Sequence, residues 1–327
     1  MGARVLSVAA VLLLSGCESA PVADHARDLP IVDMHGHLQE AMSAEELLRR
    51  MDEAGVSRMV LQPTHGPQRG TDAQALAYAR RYPDRFIAFI GFQNRPPFVR
   101  ADNWPGPPTP AALDFVDQVE SKLRAGGFSG LGEIVLRYHG HYVPGANCCG
   151  EVDRLADAPL MSRIAALATR FDVPMIIHAE GEPEVVAAMQ RLLKSHPQAV
   201  IVWAHNCGRQ RAAAIGGLLR EYPNLYCDLG GMTYTQQSSY GTTWPRATPW
   251  TFPIENGRGR LLPEVKDLFE QFPDRFMVGM DVYFNGAYLY FAERVQRFRQ
   301  LLSELAPATA RKLAHENAER VLRLERR

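Results

Sequence analysis

Short apolar runs alternate with amphipathic stretches along most of the chain. The runs lie near residues 30–37, 58–63, 85–92, 127–136, 173–179, 199–205, 224–231 and 275–281. They are rich in Val, Ile and Phe, and runs of this length bounded by turn residues read as strands buried on both faces. Between them the apolar positions fall at helical spacing, as in SAEELLRRMDEAG, with Ser43 as the starting cap and Gly55 as the stop. One phrase recurs: RRYPDRFIAFIGF from 80, KSHPQAVIVWAH from 194, REYPNLYCDLGG from 220 and EQFPDRFMVGMD from 270. In each, a charged helical end meets an aromatic residue or His, then Pro, then the next apolar run. Proline disfavours the helical conformation in the residue before it, so each phrase predicts a helix ending and a strand beginning.

Strands alternating with helices over residues 30–327 predict a closed parallel (β/α)8 TIM barrel of the α/β class. An open doubly wound sheet competes, but no G-x-G-x-x-G follows the first strand. Three connections, 93–110, 137–156 and 232–258, exceed the usual loop length and all follow strands. They are therefore expected over the carboxyl face of the barrel, where the active sites of this fold lie. Their Trp, Tyr, Thr and Arg content suits a pocket lid, with decoration as the alternative, above all for 93–110.

The amino terminus is organised differently. Arg4 precedes an apolar stretch over residues 5–14, shorter than the ~20 residues a membrane-spanning helix needs, and small residues follow. This is the layout of a secretory leader. The tetrapeptide Leu14-Ser15-Gly16-Cys17 resembles a bacterial lipobox, whose cysteine becomes the lipidated first residue of the mature protein. The expected organisation is a lipoprotein signal peptide at 1–17, a tether at 18–29 and a barrel at 30–327. Glu18 rather than Asp after the cysteine favours the outer membrane, facing the periplasm; an ordinary signal peptide with an incidental Cys is the alternative.

Charge is balanced, with 36 basic and 36 acidic side chains. A strongly basic footprint for nucleic acid is absent, and membrane association is expected through the anchor only. Cys148, Cys149, Cys207 and Cys227 show no C-x-x-C spacing. An exported location permits disulfides, yet no pair is assignable, and buried or free thiols are the expectation.

Metal-competent side chains gather at the ends of the apolar runs. In IVDMHGHL, Asp33, His35 and His37 fall two apart, and on a strand such positions share one face. Glu133 stands in GLGEIVL, His178 ends PMIIHAE, His205 ends VIVWAHNCG and Asp281 ends FMVGMD. Placed late in barrel strands, these groups would converge on one mouth. Imidazole and carboxylate without thiolate suit a divalent metal, zinc first, with iron or manganese as alternatives. Asp33 would either orient a ligand or simply pack. Glu133 would be either a ligand or the ion-pair partner of Arg137. Arg137, Tyr138, His139 and His141 follow the fourth run and would bind a substrate carboxylate or stand in solvent.

The order His-x-His, His, His, Asp after strands 1, 5, 6 and 8 is similar to that of the amidohydrolase superfamily. HENAERVLRL near the carboxyl terminus, with FPDRFMVGMD before it, resembles the amidohydrolase-related type 2 branch, which includes aminocarboxymuconate-semialdehyde decarboxylase. The resemblance covers residues 30–325. It implies one metal held by His35, His37, His178 and Asp281, with Asp281 also moving a proton and His205 as acid/base and carbonyl-polarising group. The GEI context of Glu133 also resembles the TatD-like and phosphotriesterase-like branches, where such a carboxylate bridges two metals; one ion is favoured. The implied activity is hydrolysis of a C–O or C–N bond in a small molecule (ester, lactone or amide). Decarboxylation or hydration of a small carboxylic acid is the alternative, ahead of a TatD-like phosphoesterase or a non-catalytic tethered binding protein.

Overall fold

The computed structural model describes residues 22–65, 69–95, 104, 106–139, 152–233, 252–256, 258–283 and 285–324. The expected leader with Cys17, the first part of the tether, His141, Cys148, Cys149 and much of the three long connections lie outside the described residues. Among the described residues, no helix is long and apolar enough to cross a membrane.

Eight parallel strands follow the predicted runs: β1 (Ile31–Leu38), β2 (Val56–Pro63), β3 (Phe86–Ala88), β4 (Leu131–Tyr138), β6 (Met175–Ala179), β7 (Ile201–Trp203), β8 (Leu225–Asp228) and β9 (Phe276–Met277). The short β5 (Val152–Asp153) pairs antiparallel with β4 and is an addition the apolar pattern did not announce. The strands form two ladders, β1-β2-β3 and β5-β4-β6-β7-β8-β9. Parallel bridges join them at Ile90–Leu131 and at Gly36–Val282. Backbone bonds reinforce both seams: Gly132 N–H to Ile90 O at 3.0 Å, and Met34 N–H to Val278 O at 3.0 Å. The result is a TIM barrel.

Alternation along the strands separates two cores. Val32, Met34, Val60, Ile87, Phe89, Ile176, Val202 and Met277 fill the barrel interior, while Leu61, Ile90, Ile134, Ile177, Trp203 and Val278 face the helices. The helix Asn317–Leu322, from the tail motif, sends Ala318, Val321 and Leu322 into the inner cluster and plugs the amino end of the barrel. Asn317 holds the plug by donating to Pro273 O at 2.7 Å and Phe276 O at 2.8 Å.

The recurring phrase makes one turn four times. Tyr82, His196, Tyr222 and Phe272 end their helices, each donating its N–H to the carbonyl four residues back. After the proline, Arg85, Ala199, Leu225 and Arg275 donate back to those residues, at 3.0–3.2 Å. Each turn thus converts a helix end into a strand start with its backbone groups satisfied. Ser43 and Gly55 cap the helix Ala44–Ala54 as expected: Ser43 accepts from Glu46 N–H, and Gly55 takes the left-handed conformation at φ 73°. Residues 22–29 differ from a free tether. Ala26 is buried, and Arg299 donates to Ala26 O at 3.1 Å and Leu29 O at 2.8 Å.

Candidate metal centre

The geometry of the site begins with an irregularity in β1. Val32 and Met34 point into the barrel, so strict alternation would turn His35 and His37 outward. The ladder to β2 shifts register between Asp33 and Gly36, and this bulge returns both imidazoles to the inside. Asp33 does not share their task. Its Oδ1 accepts the N–H groups of His35 at 3.0 Å and Met280 at 2.9 Å, clamping the bulge to the chain after β9. Burial pushes the Asp33 carboxyl up to about 6 despite those bonds. Its hydrogen bonds go to backbone N–H groups and not to an imidazole ring.

Glu133, on the inner face of β4, is the hub. Its Oε1 lies 3.0 Å from His178 Nδ1, 3.3 Å from His35 Nε2 and 3.4 Å from His205 Nε2, and its Oε2 lies 3.6 Å from His37 Nε2. Gln93 donates to Oε2 at 2.5 Å. The alternative ion pair with Arg137 is not formed, because Arg137 turns outward to Glu182 and Asp153, each at 2.8 Å. His139 also bonds Glu182. Asp281 completes the mouth: its Oδ1 lies 3.3 Å from His37 Nε2 and 3.9 Å from His35 Nε2, while its N–H donates to His35 O at 2.7 Å.

His205 is presented by a turn of unusual hand. Residues 205–209 all have positive φ, between 53° and 73°. Non-glycine residues in this conformation cost about 1–2 kcal/mol each, so the turn must be held from outside. A disulfide between Cys207 and Cys227 ties it to β8, where free or buried thiols were expected. Asp228 Oδ1 accepts the His205 N–H at 3.4 Å, Gln210 donates to Cys207 O at 2.6 Å, and Arg209 bonds the buried Glu180. His205 Nδ1 faces Gly230 O at 2.8 Å, which assigns the proton to Nδ1 and leaves the Nε2 lone pair toward Glu133 and His178.

Two groups among the described residues fit a metal ion: His35 with Glu133 and His205, and His35 with His37 and Asp281. The His35 Nε2 atom is buried without a hydrogen bond, while Nδ1 is engaged by Asp228, so Nε2 is the nitrogen left to face the carboxylates. This donor set fits a divalent cation. His178 joins neither group; its Nδ1 contacts Glu133 and its Nε2 lies 3.2 Å from Glu180. Asp228, Glu180, Arg209 and Gln93 were missed from sequence. Asp228 and Glu180 had a signal, since each closes or follows an apolar run as the other site residues do.

The electrostatics agree with a site that calls for positive charge. Burial would raise the Glu133 carboxyl, but the charges of His35 and His178 hold it well below the usual range. Burial would likewise lower His35, yet Asp228 and Glu133 raise it well above an ordinary imidazole. His178, with burial opposed by Glu133 and Glu180, is raised to about 9. His205 goes the other way: burial and the charges of Arg209 and His178 lower it and keep it neutral. A separate groove of about 550 Å³ at the amino ends of the strands, lined by Pro30, Ser57 and Asp84, lies far from this chemistry, and its Arg58 and Arg85 are paired with Glu319 and Asp52.

The amidohydrolase family model (Amidohydro_2) matches residues 19–324. No curated protein matches the chain in sequence. Among solved structures, an uncharacterised TIM-barrel protein from Bordetella bronchiseptica is 17% identical with a TM-score of 0.61, over 91% of this chain and 100% of the other. A dihydroxybenzoic acid decarboxylase from Polaromonas, solved with manganese and the inhibitor 2-nitroresorcinol, is 13% identical with a TM-score of 0.53, over 91% and 98%. A 4-oxalomesaconate hydratase from Rhodopseudomonas palustris is 15% identical with a TM-score of 0.53, over 90% and 97%.

Proposed function

The chain belongs to the amidohydrolase family, and from that premise we propose that it is a metal-dependent hydrolase cleaving a C–O or C–N bond in a small molecule, an ester, lactone or amide that also carries a carboxylate. The observation that carries the reading is the buried, hydrogen-bond-free Nε2 of His35, facing Glu133 and Asp281 at the carboxyl mouth of the barrel. By the family resemblance His35, His37, His178 and Asp281 would hold one divalent ion, zinc first, with Glu133 beside it; His35, His37 and Asp281 are grouped already, and His178 reaches them through Glu133. Both metal-competent groups share His35, whose Nδ1 is committed to Asp228. One free nitrogen serves one ion, which favours a mononuclear site.

Such an ion supplies polarisation of a substrate oxygen and activation of water near neutral pH. The protein supplies the rest. Asp281 is the most exposed of the cluster carboxylates, at 12% of its side chain, and its Oδ1 is placed to take a proton and pass it to the leaving group. His205, neutral and fixed through Gly230 O, keeps Nε2 available to accept a proton or a hydrogen bond from the reacting group. Burial around both excludes bulk water.

A second reading, decarboxylation or hydration of a small carboxylic acid, is favoured by the decarboxylase and hydratase among the solved structures of similar fold. The same residues would serve, with His205 or Asp281 delivering a proton to carbon. Metal-loaded protein assayed against esters, lactones, amides and small carboxylic acids separates the two. Metal-dependent cleavage of a C–O or C–N bond with oxygen-18 from water in the newly formed carboxylate supports hydrolysis; release of carbon dioxide, or uptake of water with loss of a double bond and no cleavage, supports the second reading. Turnover unaffected by chelation would overturn both.

A further inference from the structure

Above the inner core, β2 continues its inward face with two polar residues that the mechanism does not use. Val60 belongs to the inner cluster, and Gln62 and Thr64 follow on the same face. Gln62 stands opposite His37 in the ladder. A Cβ built on Gly132, the neighbour of Glu133, would lie 3.0 Å from Gln62 Oε1, so the amide sits between the β1 histidines and the hub carboxylate. Gln62 is completely buried and Thr64 is 5% exposed. Neither atom of the Gln62 amide nor the Thr64 hydroxyl has a hydrogen-bond partner among the described residues. The groups around them are already engaged: Gln93 on Glu133, and Asn94 on Thr64 O at 2.7 Å.

A buried amide without partners lowers stability, and an apolar residue of similar size would fill the position better. The retained pair offers donors and acceptors with no formal charge. An ionised carboxylate is better matched by a cation or by the metal-competent cluster; an amide and a hydroxyl match a neutral oxygen. We propose that Gln62 and Thr64 form a specificity subsite that binds an uncharged hydroxyl or carbonyl oxygen of the substrate while its carboxylate or scissile group engages the cluster. This rests on the reading of a small carboxylate-bearing substrate given above. A site built to hydrogen-bond a substrate oxygen discriminates strongly against the analogue lacking it, because its own buried groups are then left unpaired.

The test is a ligand-observed NMR titration of the metal-loaded full chain with butyrate and with 2-, 3- and 4-hydroxybutyrate. Wild type should prefer the best hydroxy acid over butyrate by about tenfold, a span of one to two hydrogen bonds. Gln62→Leu and Thr64→Val should each bring that ratio close to one, with butyrate affinity and metal content unchanged. Gln62→Leu should also melt no lower than wild type, which a structural amide would not allow. Retention of the ratio in both variants overturns the subsite, as does equal binding of all four acids by wild type. Binding of none of them by the metal-loaded wild type overturns the carboxylate reading, and the subsite with it. Should Gln62→Leu fail to fold, Thr64→Val, which conserves shape, decides alone.

Discussion

Asp228 holds His35 through both carboxylate oxygens, each 3.1 Å from the imidazole Nδ1. The contact links β8 to β1 across the barrel mouth and fixes the tautomer that presents Nε2 to Glu133. The same carboxylate accepts the backbone N–H of Gly230 at 2.8 Å and of His205. Removal of such orienting partners typically weakens metal affinity by about 10–100-fold. Asp228→Asn is expected to show that loss in a metal-buffered titration while remaining folded. Unchanged affinity would mean that the His35 ring is held by packing alone.

Nuclearity and the division between His178 and His205 are decided by metal counting. After removal of adventitious ions, wild type should retain one ion per chain and Glu133→Gln should keep it. His178→Ala should lose metal and activity together. His205→Ala should stay metallated and fall in activity by about 10²–10⁴-fold, the range for a lost acid/base group. Two ions in wild type would refute the mononuclear reading, and an ion lost from His205→Ala would make that residue a ligand.

The raised imidazoles give the metal-free protein a defined pH response. His178 is raised from 6.5 to about 9, so its contribution to stability is complete below 6.5 and is lost as pH rises through about 9. His35 shifts in the same direction. The chelated protein should therefore show a falling melting temperature between pH 6.5 and 9. Metal affinity should rise over the same interval, because binding displaces the protons those rings hold. Differential scanning fluorimetry with and without chelator checks both slopes; a chelated protein that gains stability over this interval would contradict the assignment.

The disulfide between Cys207 and Cys227 secures the left-handed turn that carries His205. Loss of a native disulfide typically costs about 2–5 kcal/mol. Cys207→Ser with Cys227→Ser should therefore melt several degrees lower and lose more activity than metal, since Asp228 still holds His35. Equal activity per folded molecule would show that the turn keeps its shape unaided.

At the amino terminus, we propose that the mature protein begins at Cys17 and is anchored through acyl chains on that residue, two signals being needed for firm attachment. Cys17→Ala should move the protein from the membrane to the soluble fraction. The variant pelleting with membranes to the wild-type extent would rule the anchor out.

The barrel was legible because each strand is an apolar run and each helix end carries a proline turn, both local properties. His35, His37, Glu133, His178, His205 and Asp281 were legible because polar groups at the ends of buried strands are expensive unless used. What sequence concealed is what depends on distant partners. The bulge at Asp33 to Gly36 needs the backbone after β9 to stabilise it. Five left-handed residues at 205–209 contradict local preference and persist because β8 and a disulfide hold them. Asp228 closes an apolar run as the other site residues do, but its hold on His35 is visible only once β8 and β1 are brought together.

The two seams of the barrel give the site a property that belongs to the assembled molecule. His35 and His37 stand on the ladder β1-β2-β3, whereas Glu133, His178 and His205 belong to the ladder that runs from β4 to β9. Asp281 follows β9 and meets β1 through its N–H bond to His35 O, beside the bridge of Gly36 to Val282. Neither portion alone carries a complete cluster. A chain divided within the long connection 93–110 would yield two fragments without the full donor set, and reassociation would recreate it. A bound ion would then act as a stitch across the cut, making fragment complementation and metal capture a single event.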